Sequence, residues 1–378
     1  THSPLALGLV GLTQIIPMVA LTLPAGHIAD NYDRKKIIVL MTLFVMSASF
    51  GLAGVSALRA PVWWTYCCLV ALGTAQTFLR AASASFLPML VERKDLSYAV
   101  NWNASTFQFS AILGPAIGGG LIALTHRAGW VAPASPVYAV NALSALSCCV
   151  LISLVRRHHV VAVKEKMSLR ALLTGFNFVF ANRIILGIIT LDMFAVMLGG
   201  AVALSPVYAK QILGVGPVGL GFLDSALPLG AVCCAFILAH RRPLQKAGRS
   251  LLWAVAAFGV ATIVYGFSKW YWFSLLMLFT CGTVDNISVV VRHTLVQLLT
   301  PDEKRGRVSA VNNLFIGTSN ELGWFESGIV AYLFGKAMGN PDSVGAVISV
   351  VSGGVGTILV VIVVALVWPE VRKYGRLG

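Results

Sequence analysis

Long apolar runs alternate with short polar segments along the whole chain. A helix of about 20 apolar residues spans the roughly 30 Å hydrocarbon core of a bilayer, and it satisfies its own backbone hydrogen bonds there. A transmembrane β-barrel would need alternating segments of about ten residues, which this pattern lacks. We therefore predict a polytopic, all-α membrane protein. The eleven predicted spans are 5–29, 36–56, 62–88, 97–124, 133–155, 183–208, 217–240, 250–268, 270–299, 306–336 and 343–368.

The polar stretch 156–182 divides these spans into five before it and six after it. It opens with two arginines and two histidines, and its second part carries apolar residues at helical spacing. That spacing is typical of an amphipathic helix lying on a membrane surface. We predict an N-terminal transmembrane bundle at 1–155, a linker with an amphipathic helix at 156–182, and a C-terminal bundle at 183–378.

Composition and charge agree with a membrane protein. Apolar residues make up 57% of the chain and charged residues 11%, whereas soluble proteins carry about 25% charged residues. The net charge of +14 would suggest a nucleic-acid partner in a soluble protein. Here 21 of the 28 Lys and Arg residues lie on one side of the predicted membrane and five on the other. The basic side is the cytoplasmic one, so we expect a multi-pass inner-membrane protein with a cytoplasmic C-terminus and no nucleic-acid partner.

The two halves of the chain resemble each other. Ala99-Val100-Asn101 recurs as Ala310-Val311-Asn312, and Leu7-Gly8-Leu9 recurs approximately as Leu220-Gly221-Phe222. The two matches share nearly one offset and fall at equivalent places in the span pattern, which favours a duplicated bundle. Because six spans follow the linker and five precede it, we expect a parent architecture of six plus six helices. The first of these helices is then absent from this chain.

Three segments resemble motifs of the major facilitator superfamily. The loop from Gly26 to Lys36 is similar to the signature G-x-x-x-D-R-x-G-R-[RK], with Asn31 and Asp33 departing from it. Gly114-Pro115-Ala116-Ile117-Gly118-Gly119 resembles the G-P-x-x-G-G element of the antiporter branches. The stretch 300–308 is similar to the corresponding loop in the exporter branch that contains the enterobactin exporter.

This resemblance implies two pseudo-symmetric six-helix bundles that work by alternating access, as a monomer. It implies that Asp30 lies near the cytoplasmic start of the span 306–336, where the helix dipole favours a carboxylate. It also implies that Arg34 pairs with a carboxylate across the same surface. Pro115 would kink its span and let it pack tightly, although a kink without a gating role is the alternative. The residues implied in gating are Gly26, Asp30, Arg34, Lys35, Gly114, Pro115, Gly118 and Gly119.

Polar and charged side chains inside the spans are candidates for binding, because ionisable groups in hydrocarbon are costly and are retained for function. Arg292 lies near one end of its span and could instead reach the surface, and Asp224 could reach water from the outer third of its helix. The candidate residues for binding substrate or protons are Arg80, Gln108, Asp192, Asp285, Arg292, Asn313, Asn320, Glu321 and Glu326.

Helical spacing favours Glu326 as the carrier of a coupling proton. Asn312, Ser319 and Glu326 are seven residues apart and share one side of the span 306–336. Glu326 is in the middle of that span, where desolvation favours the neutral carboxyl group. Glu321 is the alternative, on a face rotated by about 140°.

We therefore predict a secondary active transporter, not an enzyme, that couples proton entry to efflux of a hydrophobic or amphipathic small molecule such as a drug, siderophore or lipid-like compound. An uptake symporter or a lysolipid flippase of the same fold is the alternative, and a membrane enzyme is a distant one. No nucleotide, cofactor or metal motif is present in the sequence, so we expect no cofactor and no metal.

Overall fold

The computed structural model describes residues 4–92, 95–155, 176–240, 246–301, 304–339 and 343–375. These residues form helices joined by short loops, and no strand occurs among them, which confirms the all-α prediction. In chain order the helices are α1 Pro4–Asn31, α2 Arg34–Ala57, α3 Val62–Phe86, α4 Leu96–Arg127, α5 Ser135–Leu154, α6 Arg183–Leu198, α7 Pro217–Ala239, α8 Ala247–Phe267, α9 Tyr271–Leu299, α10 Arg305–Ala337, α11 Ser343–Val367 and α12 Pro369–Lys373.

Ten segments of the described chain are helical, long and apolar enough to cross a membrane. Each of them corresponds to one of the eleven predicted spans. The remaining predicted span, 306–336, forms the 33-residue helix α10. Its length is sufficient for a span, but it carries more polar side chains than the other long helices do. Polar residues in such a helix normally face protein or water and not lipid.

The span predicted as one helix over 183–208 is interrupted. Helix α6 ends at Leu198, and Gly199 and Gly200 follow it. The chain then forms a 3₁₀ turn at Ala201–Leu204, a single α turn at Ser205–Val207 and a π turn at Tyr208–Ile212. The prediction of an unbroken helix was wrong here, because paired glycines and Pro206 together weaken helix formation.

Two helix starts are fixed by side-chain caps. The Asp33 carboxylate accepts hydrogen bonds from the backbone N–H groups of Lys35 and Lys36, at 2.9 and 3.4 Å. The Asn182 side chain likewise accepts from Ile184 and Ile185. Caps of this kind satisfy backbone donors that the first helical turn leaves free. Asp33 is one of the two departures from the loop signature, and it starts α2.

The chain divides into two compact units. One contains residues 13–110 and 117–169, and the other contains residues 1–12, 111–116 and 170–378. In the first unit, α2 packs against α3 and α5, and the Asn141 side chain donates to Ser49 Oγ at 2.8 Å. In the second unit, three clusters of buried aliphatic and aromatic side chains join the helices from α6 onward. The division at 155 and 183 that the sequence suggested stays a prediction.

Only the last part of the predicted amphipathic helix lies within the described residues. Residues 176–181 are helical, whereas 156–175 lie outside the description. Val179 is fully buried in a cluster with Ile185, Val296 and Val308. The apolar side of this segment therefore packs against the ends of α6, α9 and α10.

Candidate functional site

The most deeply buried charges among the described residues form an ion pair. Asp192 on α6 contacts Arg292 on α9, and their side chains are only 8% and 5% exposed. Arg292 therefore does not reach the surface from the end of its span. The sequence had left that position open as an alternative. The Nε atom of Arg292 has no hydrogen-bond partner in the described part of the protein. The sequence marked both residues as candidates but gave no reason to pair them.

Asp285 lies on α9, two helical turns before Arg292. Residues seven apart lie on the same side of a helix, so Asp285 extends the charged face that begins with the ion pair. Its side chain is half-buried. Three of the predicted candidates thus belong to one pair of helices, α6 and α9.

Helix α10 carries Glu321 and Glu326, and both side chains are partly buried. The stripe predicted to include Glu326 is not uniform: Asn312 and Ser319 are almost fully buried. The neighbouring Asn313 and Asn320 are exposed. The exposed polar face of α10 therefore runs through the two asparagines. Glu326 lies about 120° from Asn320 around the helix, on the side of Asn312 and Ser319.

Glu326 lies where α10 meets the interruption after α6. Ser327 Oγ donates to the Gly200 carbonyl oxygen at 3.3 Å. A Cβ atom on Gly323 would come within 3.0 Å of the Val196 carbonyl oxygen. Backbones this close require glycine, so the surroundings of Glu326 are tied to the end of α6.

Arg80 and Gln108 belong to the compact unit of residues 13–110 and 117–169. Arg80 is exposed on α3, and Gln108 is partly exposed on α4. Each is accessible on its own helix, so each stays a predicted binding residue.

The basic residues of the loop after α1 bind helix ends. Arg34 Nε donates to the Ala29 carbonyl at 3.1 Å, and its Nη1 donates to the Ser85 carbonyl at 3.4 Å. Lys35 Nζ donates to the carbonyls of Ser153 and Val155, at 2.7 and 3.0 Å. These carbonyls lie in the last turns of α1, α3 and α5 or just beyond them, where the helix dipole favours cations. The side chain of Asp30 lies outside the described residues.

We expect Lys35→Met to lower the free energy of unfolding by about 1 kcal/mol, because it removes a charged donor from the end of α5. Lys36→Met is the matched control, since Lys36 is the exposed neighbour, and its effect should stay within about 0.5 kcal/mol. Thermal unfolding of the two purified variants in detergent measures both. Equal effects of the two substitutions would contradict a capping role for Lys35.

Two equivalent glycines make close backbone contacts. A Cβ atom on Gly8 would lie 3.0 Å from Gly328 Cα on α10, and one on Gly221 would lie 2.4 Å from the Pro115 carbonyl oxygen on α4. Ser225 Oγ also donates to the Ile112 carbonyl at 2.6 Å. Gly8 and Gly221 are the glycines of the Leu-Gly repeat, and α4 and α10 are the helices of the Ala-Val-Asn repeat. The weak repeat in the sequence therefore marked two symmetry-related contacts.

The glycines beside Pro115 have a different environment. A Cβ atom on Gly114 or Gly118 would meet nothing within 4 Å. Helix α4 runs continuously through Pro115. The close contact between α4 and α7 at Pro115 is therefore possible because of Gly221 on α7. Gly221 is not part of the Gly-Pro motif.

An apolar cavity of about 910 Å³ lies beside this contact. Residues of α4, α7 and α9 line it, among them Leu113, Phe222, Leu229 and Phe279. Tyr271 and Trp272 stand at the start of α9 and border the cavity. Within the described ranges, no group of three or more His, Cys, Asp or Glu side chains could hold a metal. The cavity suits a ligand that is mainly apolar.

Comparisons with known proteins agree with this architecture. A family model described as Major Facilitator Superfamily matches residues 1–324. The chain is 25% identical to the enterobactin exporter EntS of Escherichia coli O1:K1, over 99% of this chain and 86% of that protein. The EntS protein of Shigella boydii serotype 18 matches to the same extent.

Solved structures share the fold at lower identity. A bacterial homologue of the human lysosomal transporter Spinster, inward-facing and occupied, has a TM-score of 0.76 at 13% identity, over 98% of this chain and 90% of that chain. A D-xylose–proton symporter has a TM-score of 0.75 at 13% identity, over 99% of this chain and 90% of that chain.

Proposed function

The chain belongs to the Major Facilitator Superfamily, and from that membership we propose that it exports a hydrophobic or amphipathic small molecule from the cytoplasm in exchange for protons. It is a multi-pass membrane transporter and not an enzyme. The bacterial exporters that it resembles support a location in the inner membrane. The excess of Lys and Arg on one side of the predicted membrane supports a cytoplasmic C-terminus.

The apolar cavity carries the proposal on substrate class. Its lining is aliphatic and aromatic, so a ligand that enters it from water would gain about 25 cal/mol for each Å² of apolar surface that it buries there. A sugar or nucleoside would leave hydroxyl groups without partners in such a lining, which is costly. Aromatic side chains at a membrane interface suit a molecule with one polar and one apolar end.

Membrane-embedded carboxyl groups support proton coupling. Glu326 is partly buried on α10 and adjoins the interruption after α6. A carboxyl group at this depth is favoured in its neutral form while it is dry, and hydration favours its ionised form. When the transporter opens to one side, Glu326 would bind a proton, and when it opens to the other side, Glu326 would release that proton.

The direction of transport rests on two similarities. Gly114-Pro115-Ala116-Ile117-Gly118-Gly119 matches an element of antiporters, and the relatives over almost the whole chain are exporters. The close contacts at Gly8 and Gly221 join helices of both sequence halves. In alternating access they would separate as the halves rock about a central site.

The experiment that tests this function is flux in proteoliposomes of known orientation. With the cytoplasmic face outward, an acidic lumen should drive substrate into the lumen against its gradient. The panel should contain a catecholate siderophore, a lipophilic cationic dye and a lysophospholipid, each with and without the pH gradient. Movement of substrate in the same direction as protons would establish a symporter instead. Chemical conversion of the substrate would establish an enzyme.

We expect Leu229→Trp to weaken substrate binding about tenfold, because the indole would occupy cavity volume that the substrate needs. Ile237→Trp is the matched control: Ile237 lies two turns further along the same helix, is exposed, and does not line the cavity. The concentration for half-maximal flux measures the effect. If both variants leave it unchanged, the cavity does not hold the substrate.

A further inference from the structure

A groove with a cavity of about 580 Å³ lies between α8, α11 and α12. Leu252 and Ala256 of α8 line one wall, and Ile358 and Ile362 of α11 line the other. Among the described residues, none lines both this groove and the cavity between α4, α7 and α9. The groove lies entirely within the compact unit that contains residues 170–378.

Three basic residues stand at one end of this groove. Arg249 lies in the first turn of α8, whereas Arg372 and Lys373 lie at the end of α12, and all three side chains are exposed. Within their bounds, α8 and α11 contain no Asp or Glu. The acidic residue of α12, Glu370, is paired with Arg183 at 3.1 Å. This end of the groove therefore carries an excess of positive charge.

The backbone holds the end of α12 against the start of α8. The Ala247 N–H group donates to the Gly375 carbonyl oxygen at 2.9 Å, and the Gly248 N–H group donates to the carbonyl oxygen of the preceding residue, Tyr374, at 3.3 Å. A Cβ atom on Gly248 would overlap the Val371 carbonyl oxygen, so the contact requires glycine. Val371 itself is fully buried. The basic residues of the two helices are thus brought together by fixed contacts.

The length of the groove matches the depth of one lipid leaflet. Helix α8 rises about 10 Å from Arg249 to Ala256, and one leaflet contributes about half of the roughly 30 Å hydrocarbon core. One turn beyond Ala256, a Cβ atom on Gly259 would lie 2.9 Å from the Gly354 carbonyl oxygen on α11. The two backbones therefore meet at the inner end of the groove. Trp253, which also lines the groove, is 75% exposed and suits the level of the lipid head groups.

The combination of a basic end and aliphatic walls indicates the class of ligand. Arginine and lysine bind phosphate oxygens, and arginine can do so with two hydrogen bonds. Basic pockets between transmembrane helices bind the head groups of anionic lipids. A free phosphate would use only the basic end, and a neutral apolar molecule would use only the walls. An anionic phospholipid uses both.

We propose that α8, α11 and α12 bind one anionic phospholipid, with its phosphate against Arg249, Arg372 and Lys373 and one acyl chain in the groove. The lipid fastens α12 to the lower part of α8 and α11. This site does not depend on the proposed substrate, on the direction of transport or on proton coupling.

The test is thermal unfolding of the purified full chain in detergent, without substrate, at fixed pH and ionic strength. A ligand that binds only the folded protein stabilises it by mass action. Dioleoyl phosphatidylglycerol should therefore raise the unfolding temperature by several degrees more than dioleoyl phosphatidylcholine at equal mole fraction, with a saturable dependence. Arg249→Gln and Arg372→Gln should each raise the mole fraction for the half-maximal response about fivefold. Lys36→Gln should leave it unchanged, because Lys36 is an exposed cation that does not line the groove.

A second pair of variants tests the acyl chain. Ile362→Trp should raise the mole fraction for the half-maximal response about tenfold, because the indole would occupy space that the chain needs. Val363→Trp is the matched control: Val363 is 53% exposed, against 49% for Ile362, and does not line the groove. Equal effects of the two substitutions would overturn the placement of the chain.

Three further outcomes would overturn the lipid. One is an equal response of the parent to the two phospholipids. Another is an equal loss in Arg249→Gln and Lys36→Gln, which would mean that the response follows net charge and not a site. The third is a full response to glycerophosphoglycerol, which has the head group without acyl chains, or to inorganic phosphate. That result would assign the basic end to a free phosphate.

Discussion

Asp192→Asn is expected to destabilise the protein by about 3–5 kcal/mol, because it leaves Arg292 charged and buried without its partner. Arg292→Gln should cost a similar amount for the converse reason. Replacing both residues together, as Asp192→Leu with Arg292→Met, should recover most of the loss, since apolar pairs of similar volume often match buried ion pairs. Unfolding in detergent of the parent, Asp192→Asn, Arg292→Gln and the variant that combines these two substitutions gives the coupling energy as a double-mutant cycle. The apolar double variant is measured beside them.

The control for this cycle is the exposed pair between Arg183 and Glu370. Arg183 Nη1 lies 3.1 Å from Glu370 Oε1, and the two side chains are 76% and 37% exposed. Such pairs contribute at most about 1 kcal/mol, so Arg183→Gln and Glu370→Gln should each have a small effect. Additive losses at Asp192 and Arg292, with no recovery in the double variant, would mean that the two residues act independently.

Glu326→Gln is expected to abolish uphill transport while leaving downhill exchange of substrate intact. The amide keeps the shape of the neutral carboxyl group but cannot release a proton, so the pH gradient can no longer be used. In proteoliposomes, the accumulation ratio should fall to about one, and the flux should lose its dependence on external pH. Substrate efflux without a gradient measures whether binding and alternation survive.

Two variants show whether the effect is specific. Glu370→Gln removes a carboxyl group outside the long helices and should leave accumulation unchanged. Glu321→Gln tests the other acidic residue of α10. If Glu326→Gln still accumulates substrate with the parental pH dependence, Glu326 is not the coupling residue. If Glu321→Gln alone abolishes accumulation, the role belongs to Glu321.

Hydropathy was sufficient to predict the helices, because each span must match the thickness of the membrane and must satisfy its own backbone hydrogen bonds. Most boundaries of α1 to α11 fall within three residues of the predicted limits. The exception is α6, whose prediction extended ten residues beyond Leu198. The apolar character of 201–208 satisfied the hydropathy pattern, while Gly199, Gly200 and Pro206 altered the backbone without altering hydropathy.

The candidate site was only partly predictable, because the sequence does not show which distant residues are in contact. The cost of charge in hydrocarbon identified Asp192 and Arg292 individually, yet nothing in their spacing indicated that they meet. The expectation that Arg34 would pair with a carboxylate came from family resemblance. In the described residues Arg34 donates to carbonyls at the ends of α1 and α3, and its pairing with a carboxylate stays a prediction. The cavity depends on contacts between helices, which the periodicity of the sequence does not contain.

The attachment of Arg34 and Lys35 to three helix ends has a practical consequence for spectroscopy. The last turns of α1, α3 and α5 are joined by direct hydrogen bonds to the first turn of α2. Spin labels or fluorophores placed near any two of these ends should keep a constant separation throughout the transport cycle. That constant separation would be an internal reference distance, with which distance changes measured elsewhere in the protein can be compared.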